Sequence, residues 1–175
     1  IIERAKTNCR SLKDERLSLA KEDRKGVVIH MLEPLAEAWE KFRLSRVPPV
    51  YSFADMITKF LAEGTVPPLD VLIVDEAQDL AELNWQLVDT LAAHADKTFI
   101  AGDDDQAIYE WNGARPQRFI NYRGKHVVLD QSYRIPSLVH PIAEKISRRI
   151  ISREPKSYKP RKEKGTVNNV TSVEL

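Results

Sequence analysis

The sequence predicts an α/β protein: a parallel sheet flanked by helices, preceded by a helical N-terminal segment. Three features carry that expectation. The first third shows helical periodicity alone, two short apolar runs, LDVLIV and KTFIAGD, then end in acidic residues, and amphipathic stretches alternate with such runs from Leu69 onward. Alternation of this kind argues for a parallel sheet covered by helices on both faces.

Taken in order, Ile1 to Lys25 is rich in charge, with Ile2, Ala5, Cys9 and Leu12 as scattered apolar positions, which predicts a solvated helix with a narrow buried stripe. Leu32, Leu35, Ala36, Trp39 and Phe42 recur at helical spacing between His30 and Arg46, and Val47-Pro48-Pro49 stops the pattern. Ser52 followed by Asp55 is a capping-box-like start for a helix carrying Phe53, Met56, Ile57, Phe60 and Leu61, which Gly64 and the pair Pro67-Pro68 end. The strand Leu69 to Val74 comes next, then a helix with Leu80, Leu83, Leu87, Val88 and Leu91 on one face, then a strand over Lys97 to Asp103. HVVLD, His126 to Asp130, predicts a third strand, and Pro136 is expected to open a helix on which Leu138, Ile142, Ile146 and Ile150 repeat every four residues.

Composition sets wider limits. The 175 residues are 42% hydrophobic and 30% charged, ordinary for a globular protein with a sizeable core. With 27 basic against 26 acidic residues the net charge is +1, so attraction to nucleic acid or membrane must come from local patches. The single cysteine, Cys9, excludes an internal disulfide framework, and no apolar run approaches the roughly 20 residues of a membrane span. An intracellular, cytoplasmic protein is expected. The chain opens inside a charged helical pattern and closes on TVNNVTSVEL, which reads as a strand beginning, so a segment of a longer protein is also expected. One basic stretch, Lys145 to Lys164, reads either as a solvated helix end running into a linker or as a phosphate-contacting strip.

The chemistry concentrates where the apolar runs end. In open α/β sheets ligands bind beyond the carboxyl ends of the strands, and VLIVDEAQD places Asp75 and Glu76 there. One such acid can hold the hydrated Mg²⁺ that accompanies a nucleotide, and its neighbour can act as general base on water. The competing reading is that the pair begins a loop or caps the next helix. The second strand ends alike, in Gly102, three aspartates and Gln106, whose amide can bond a γ-phosphate or attacking water on one side and a neighbour on the other. A turn with capping acids is the alternative there. Tyr109 and Trp111 lie two apart, so an extended segment would aim both at one face to stack bases, against core packing as the alternative. LDQSYR delivers Tyr133 and Arg134 after the third strand, where the arginine can stabilise phosphoryl charge and the tyrosine can stack on a purine. A salt bridge from Arg134 to Asp130 and a buried Tyr133 compete with that reading.

VDEAQD, GDDDQAIYEWNGA and LDQSYR, in this order and spacing, resemble motifs II, III and IV of the superfamily-one DNA helicases of the UvrD, PcrA and Rep type. The resemblance covers about Tyr51 to Ile150. It implies a partial RecA-like P-loop NTPase domain over residues 51–150, a helical insertion over 1–50, and a basic linker leading into a second RecA-like domain over 151–175. It further implies ATP and Mg²⁺ as cofactors, with Asp75 as the metal ligand, Glu76 activating water, and Gln106 and Arg134 completing the catalytic set. Gln78, Gly102, Asp103 and Tyr133 would face the nucleotide, with Gln78 and Gln106 linking the γ-phosphate to the DNA side and Tyr133 stacking on adenine. Tyr109, Trp111 and Asn112 would face nucleic acid. The implied activity is 3′-to-5′ movement on single-stranded DNA and unwinding at DNA junctions, in repair, recombination or replication, with no membrane partner.

Two departures qualify the resemblance. Asn112 stands where that family commonly has arginine, and no GxxxxGK[ST] phosphate loop occurs in the 175 residues. Poor or absent ATP hydrolysis by this chain alone is therefore expected. A helicase-nuclease subunit, an RNA helicase of the same superfamily, and a degenerate motor that only grips single strands are the alternatives.

Overall fold

The computed structural model describes residues 1–24, 26, 28–151 and 153–168. The chain divides into two compact units, Ile1–Phe119 and Ile120–Leu175.

In the first unit, the charged N-terminal segment forms two short helices, α1 (Ile2–Thr7) and α2 (Leu12–Ser18), in place of the single helix the periodicity predicts. The break falls at Cys9, which takes a left-handed φ of 51°, and Ser11 starts the second helix by accepting a hydrogen bond from the Asp14 amide. Helix α3 (Ile29–Leu44) and helix α4 (Phe53–Glu63) follow as expected. The Ser52–Asp55 capping box is present in both directions, and Gly64 closes α4 in the left-handed conformation at φ 64°.

Asp55 does more than cap. Its carboxylate receives Lys6 at 2.7 Å and Arg43 at 2.7 Å, and Glu40 also pairs with both cations. Burial alone would raise the Asp55 carboxyl, but the bonds from Lys6, Ser52 and Arg43 hold it well below the usual carboxylate range. Charge therefore joins α1, α3 and α4.

Strand β1 (Leu69–Val74) lies parallel to strand β2 (Ala95–Ile100), with Ile73 opposite Phe99 and Val74 opposite Ile100. Parallel neighbours need a crossover, and helix α5 (Glu82–Ala92) supplies it. Leu83, Trp85 and Val88 of α5 are buried, Trp85 completely, and Arg118 lies over its ring at 5.6 Å while pairing with Glu82 and Asp89. Helix α6 (Pro116–Ile120) carries that arginine. The fold is mixed α/β, with small parallel sheets flanked by helices, but among the described residues the strand pair is not covered on both faces. Val71, Ile73 and Phe99 alternate onto one side of the strand pair and stay exposed.

The second unit corrects the third strand. His126 to Asp130 is irregular, and the strand is β3 (Gln131–Pro136), paired in parallel with β4 (Lys159–Arg161) in a sheet of its own. Pro136 ends this strand and opens no helix; helix α7 runs His140–Ser147, with Pro141 in its first turn. A residue before proline favours extended backbone, which draws the strand up to Ile135. Pairing comes from a distant segment, KPR, with no apolar pattern to announce it. The expected C-terminal strand falls largely on residues 169–175, outside the described residues. Among the described residues, no helix is long and apolar enough to cross a membrane.

Candidate active site

The ladder between β1 and β2 continues past both strands, through Ala101 N–H to Val74 O at 2.8 Å and Ala77 N–H to Ala101 O at 3.0 Å. These bonds hold the two acidic segments side by side. Asp75 and Glu76 are both exposed at the end of β1, and Asp75 Oδ1 accepts the Glu76 amide at 2.8 Å. Glu76 takes a left-handed conformation, φ 52° and ψ 40°, which costs a non-glycine residue about 1–2 kcal/mol. It stands at the start of the tight turn Ala77–Asp79 without capping it, so its carboxylate is not spent on the backbone.

Gln78 connects the two strand ends. It is 1% exposed, its Oε1 accepts the Asp103 amide at 2.9 Å, and its Nε2 donates to Glu76 Oε2 at 2.8 Å. Gly102 makes this approach possible, since a Cβ there would stand 2.5 Å from Gln78 Oε1 and 3.2 Å from Ala77 N. Asp79 lies beside them, its carboxyl pushed up by burial and by the Glu76 charge. Asp103 caps the next tight turn, Asp104–Gln106, accepting the Asp105 amide at 3.2 Å and the Gln106 side-chain amide at 2.6 Å. The capping alternative thus holds for Asp103, while Gln106 remains exposed beside it.

The acids of the first unit fit a nucleotide-bound Mg²⁺. Among the described residues, no group of three or more His, Cys, Asp or Glu side chains could hold a metal unaided. A pair of exposed carboxylates is what an ion that keeps its waters and takes phosphate oxygens requires.

Tyr109 and Trp111 are 45% and 67% exposed, which excludes burial in the core. They do not lie on an extended segment: Glu110–Asn112 forms a tight 3₁₀ turn, with the Asn112 and Gly113 amides bonded back to Tyr109 O and Glu110 O at 2.9 Å each. Residues two apart in such a turn point in different directions. The turn is fastened at its end by Ala114 bridging Ala81 and by the Arg115 amide on Leu80 O at 2.9 Å. Asn112 is exposed on it, and Gly113 follows at φ 105°.

Asp75, Glu76, Gln78, Gly102, Asp103 and Gln106 are therefore brought together. Tyr133 and Arg134 belong to the second unit, inside β3 and not after a strand, and both are exposed. Asp130 pairs with Lys159 at 2.9 Å, and Tyr133 is 84% exposed, so neither competing reading of those residues describes them. Within the basic stretch, Arg148 pairs with Glu144, Lys159 with Asp130 and Arg161 with Glu163. Sequence reasoning missed Asn8, which is 3% exposed and packs against Gly113; the glycine after Asn112 was the only local signal of a close approach.

A family model, the UvrD/REP helicase N-terminal domain, matches residues 4–126. The chain is 40% identical over 68 residues to the ATP-dependent DNA helicase Rep of Escherichia coli strain K12, covering 36% of this chain and 10% of that protein. It is 41% identical over 71 residues to DNA helicase II of the same organism (38% and 10%), and 34% identical over 70 residues to the ATP-dependent DNA helicase PcrA of Leuconostoc citreum (37% and 9%). Each alignment spans about a tenth of the relative's length.

Proposed function

Because the chain belongs to the UvrD/REP helicase N-terminal domain family, we propose that it forms the hydrolytic and base-contacting part of a cytoplasmic ATP-driven motor that moves 3′ to 5′ on single-stranded DNA and unwinds DNA junctions. The observation that carries this reading is Gln78, which ties the Glu76 carboxylate to the Asp103 amide and so makes one unit of the two acidic strand ends.

Asp75 is the residue to hold Mg²⁺, which when bound would share the charge of the phosphates. Glu76 accepts the proton of the attacking water, and its hydrogen bond from Gln78 fixes where that carboxylate points. Gln106, exposed next to Asp103, offers its amide to the terminal phosphate or the water. Tyr109 and Trp111 present aromatic surface to unpaired bases, with Asn112 between them and the glycine turn. Tyr133 would stack on adenine, and Arg134 would stabilise phosphoryl charge, acting within the same polypeptide. The same chain lacks a phosphate-loop sequence, so hydrolysis requires residues beyond these 175.

The test is the ATPase rate of the complete polypeptide with and without single-stranded DNA, for wild type and Glu76→Gln. DNA-stimulated hydrolysis abolished by the substitution supports the reading. Hydrolysis that ignores DNA, or survives without Glu76, places catalysis elsewhere and favours a module that only grips single strands.

A further inference from the structure

The polar group at the junction of α1 and α2 does not belong to the acidic strand ends, yet it reaches the aromatic turn. Glu15 is fully buried, a costly place for a carboxylate, and is held by Arg4 at 2.9 Å and by Asn8 Nδ2 at 3.0 Å. That bond fixes the orientation of the Asn8 amide, because only its nitrogen can donate to the carboxylate. Asn8 Oδ1 is consequently turned the other way, buried and without a hydrogen-bond partner. What it meets is Gly113: a Cβ at that position would lie 1.7 Å from Asn8 Oδ1 and 2.5 Å from its Cγ. The amide thus presses directly on the backbone that closes the Glu110–Asn112 turn, two residues from Trp111, and only glycine at φ 105° admits it.

We propose that Asn8, oriented by Glu15 and Arg4, is a positioning residue that sets the aromatic turn so that Trp111 meets single-stranded DNA. The proposal rests on the reading of Trp111 as a base-stacking residue. The N-terminal helical pair is then part of the DNA-binding apparatus, although it supplies no contact to the bases.

The test is a double-mutant cycle in the complete polypeptide, reading affinity for a fluorescent oligothymidylate, with KM for ATP and thermal unfolding measured in parallel. Trp111→Ala is expected to weaken binding about tenfold, and Asn8→Ala to weaken it several-fold while leaving KM for ATP unmoved. In the Trp111→Ala background Asn8→Ala should add no further loss, an outcome that general destabilisation would not produce. Gly113→Ala attacks the same contact from the turn's side and should behave in the same way, which keeps the test decisive if Asn8→Ala does not fold. Wild-type affinity in both Asn8→Ala and Gly113→Ala, or full additivity with Trp111→Ala, overturns the proposal while leaving the stacking role intact. Undiminished binding by Trp111→Ala overturns the stacking reading itself, and the proposal with it.

Discussion

Gln78 offers the most discriminating perturbation, because both ends of its amide are used within the chain. In Gln78→Leu the Asp103 amide loses its acceptor, worth about 1–3 kcal/mol when such a group is left unpaired, and the charged Glu76 carboxylate loses the bond it accepts from Gln78 Nε2, worth about 1.5–3 kcal/mol. Glu76 is exposed, so water replaces part of the second loss, and a total of about 2–4 kcal/mol is expected. At roughly 3 °C per kcal/mol for a chain of this size, the melting temperature falls by about 6–12 °C. Gln78→Glu separates the two ends. The new carboxyl keeps an acceptor for Asp103 but faces Glu76 and Asp79, so burial and like charge raise its pKa in the folded protein. A carboxyl raised on folding is least harmful when protonated. The Gln78→Glu deficit should therefore be small below its unfolded pKa of about 4.3 and grow as pH rises, while the Gln78→Leu deficit stays nearly flat. Thermal unfolding of both variants between pH 4 and 8 reads this, and DNA-stimulated kcat of the complete polypeptide should drop about 100-fold in each. Unchanged melting of Gln78→Leu, or parallel pH profiles for the two, would refute the bridging role.

Other outcomes follow from the same contacts. Asp55→Asn removes the partner shared by Lys6 and Arg43 and should cost about 1–2 kcal/mol at pH 7 once solvent screening is allowed for. Because the Asp55 carboxyl is lowered on folding, its contribution is present above the unfolded value of about 3.9 and disappears as pH falls below it; wild type should lose stability on acidification more steeply than Asp55→Asn in unfolding scans. Gly102→Ala should destabilise by about 1–3 kcal/mol and depress ATPase together with stability, since the added methyl displaces Gln78; calorimetry and steady-state rates report both. Trp111→Ala, at an exposed position, should leave unfolding within about 0.5 kcal/mol of wild type in denaturant titrations while weakening single-strand binding.

Local chemistry determined much of this protein. Ser52 and Asp55 define a capping box whoever their neighbours are, Gly64 ends a helix because it alone adopts φ 64° without strain, and β-branched runs form strands that stop where charge begins. The grouping of acids at the ends of β1 and β2 was legible for the same reason, since parallel strands joined by one helix align their carboxyl ends. Tertiary contacts decided the rest. The strand at Gln131 to Pro136 owes its register to a partner 28 residues away that has no strand signature, and the single N-terminal helix divides at Cys9 where Asn8 and Glu15 are drawn into a buried pair. Trp85, which the apolar pattern of Leu80, Leu83, Leu87, Val88 and Leu91 does not include, is fully buried and lies beneath the Arg118 guanidinium. Gln78 and Asn8 acquired their places only through segments 25 and more than 100 residues away, by a hydrogen bond to Asp103 in the first case and close contact with Gly113 in the second. Periodicity reports which face a residue will show; which groups meet across that face depends on chain closure over distances that no local pattern encodes.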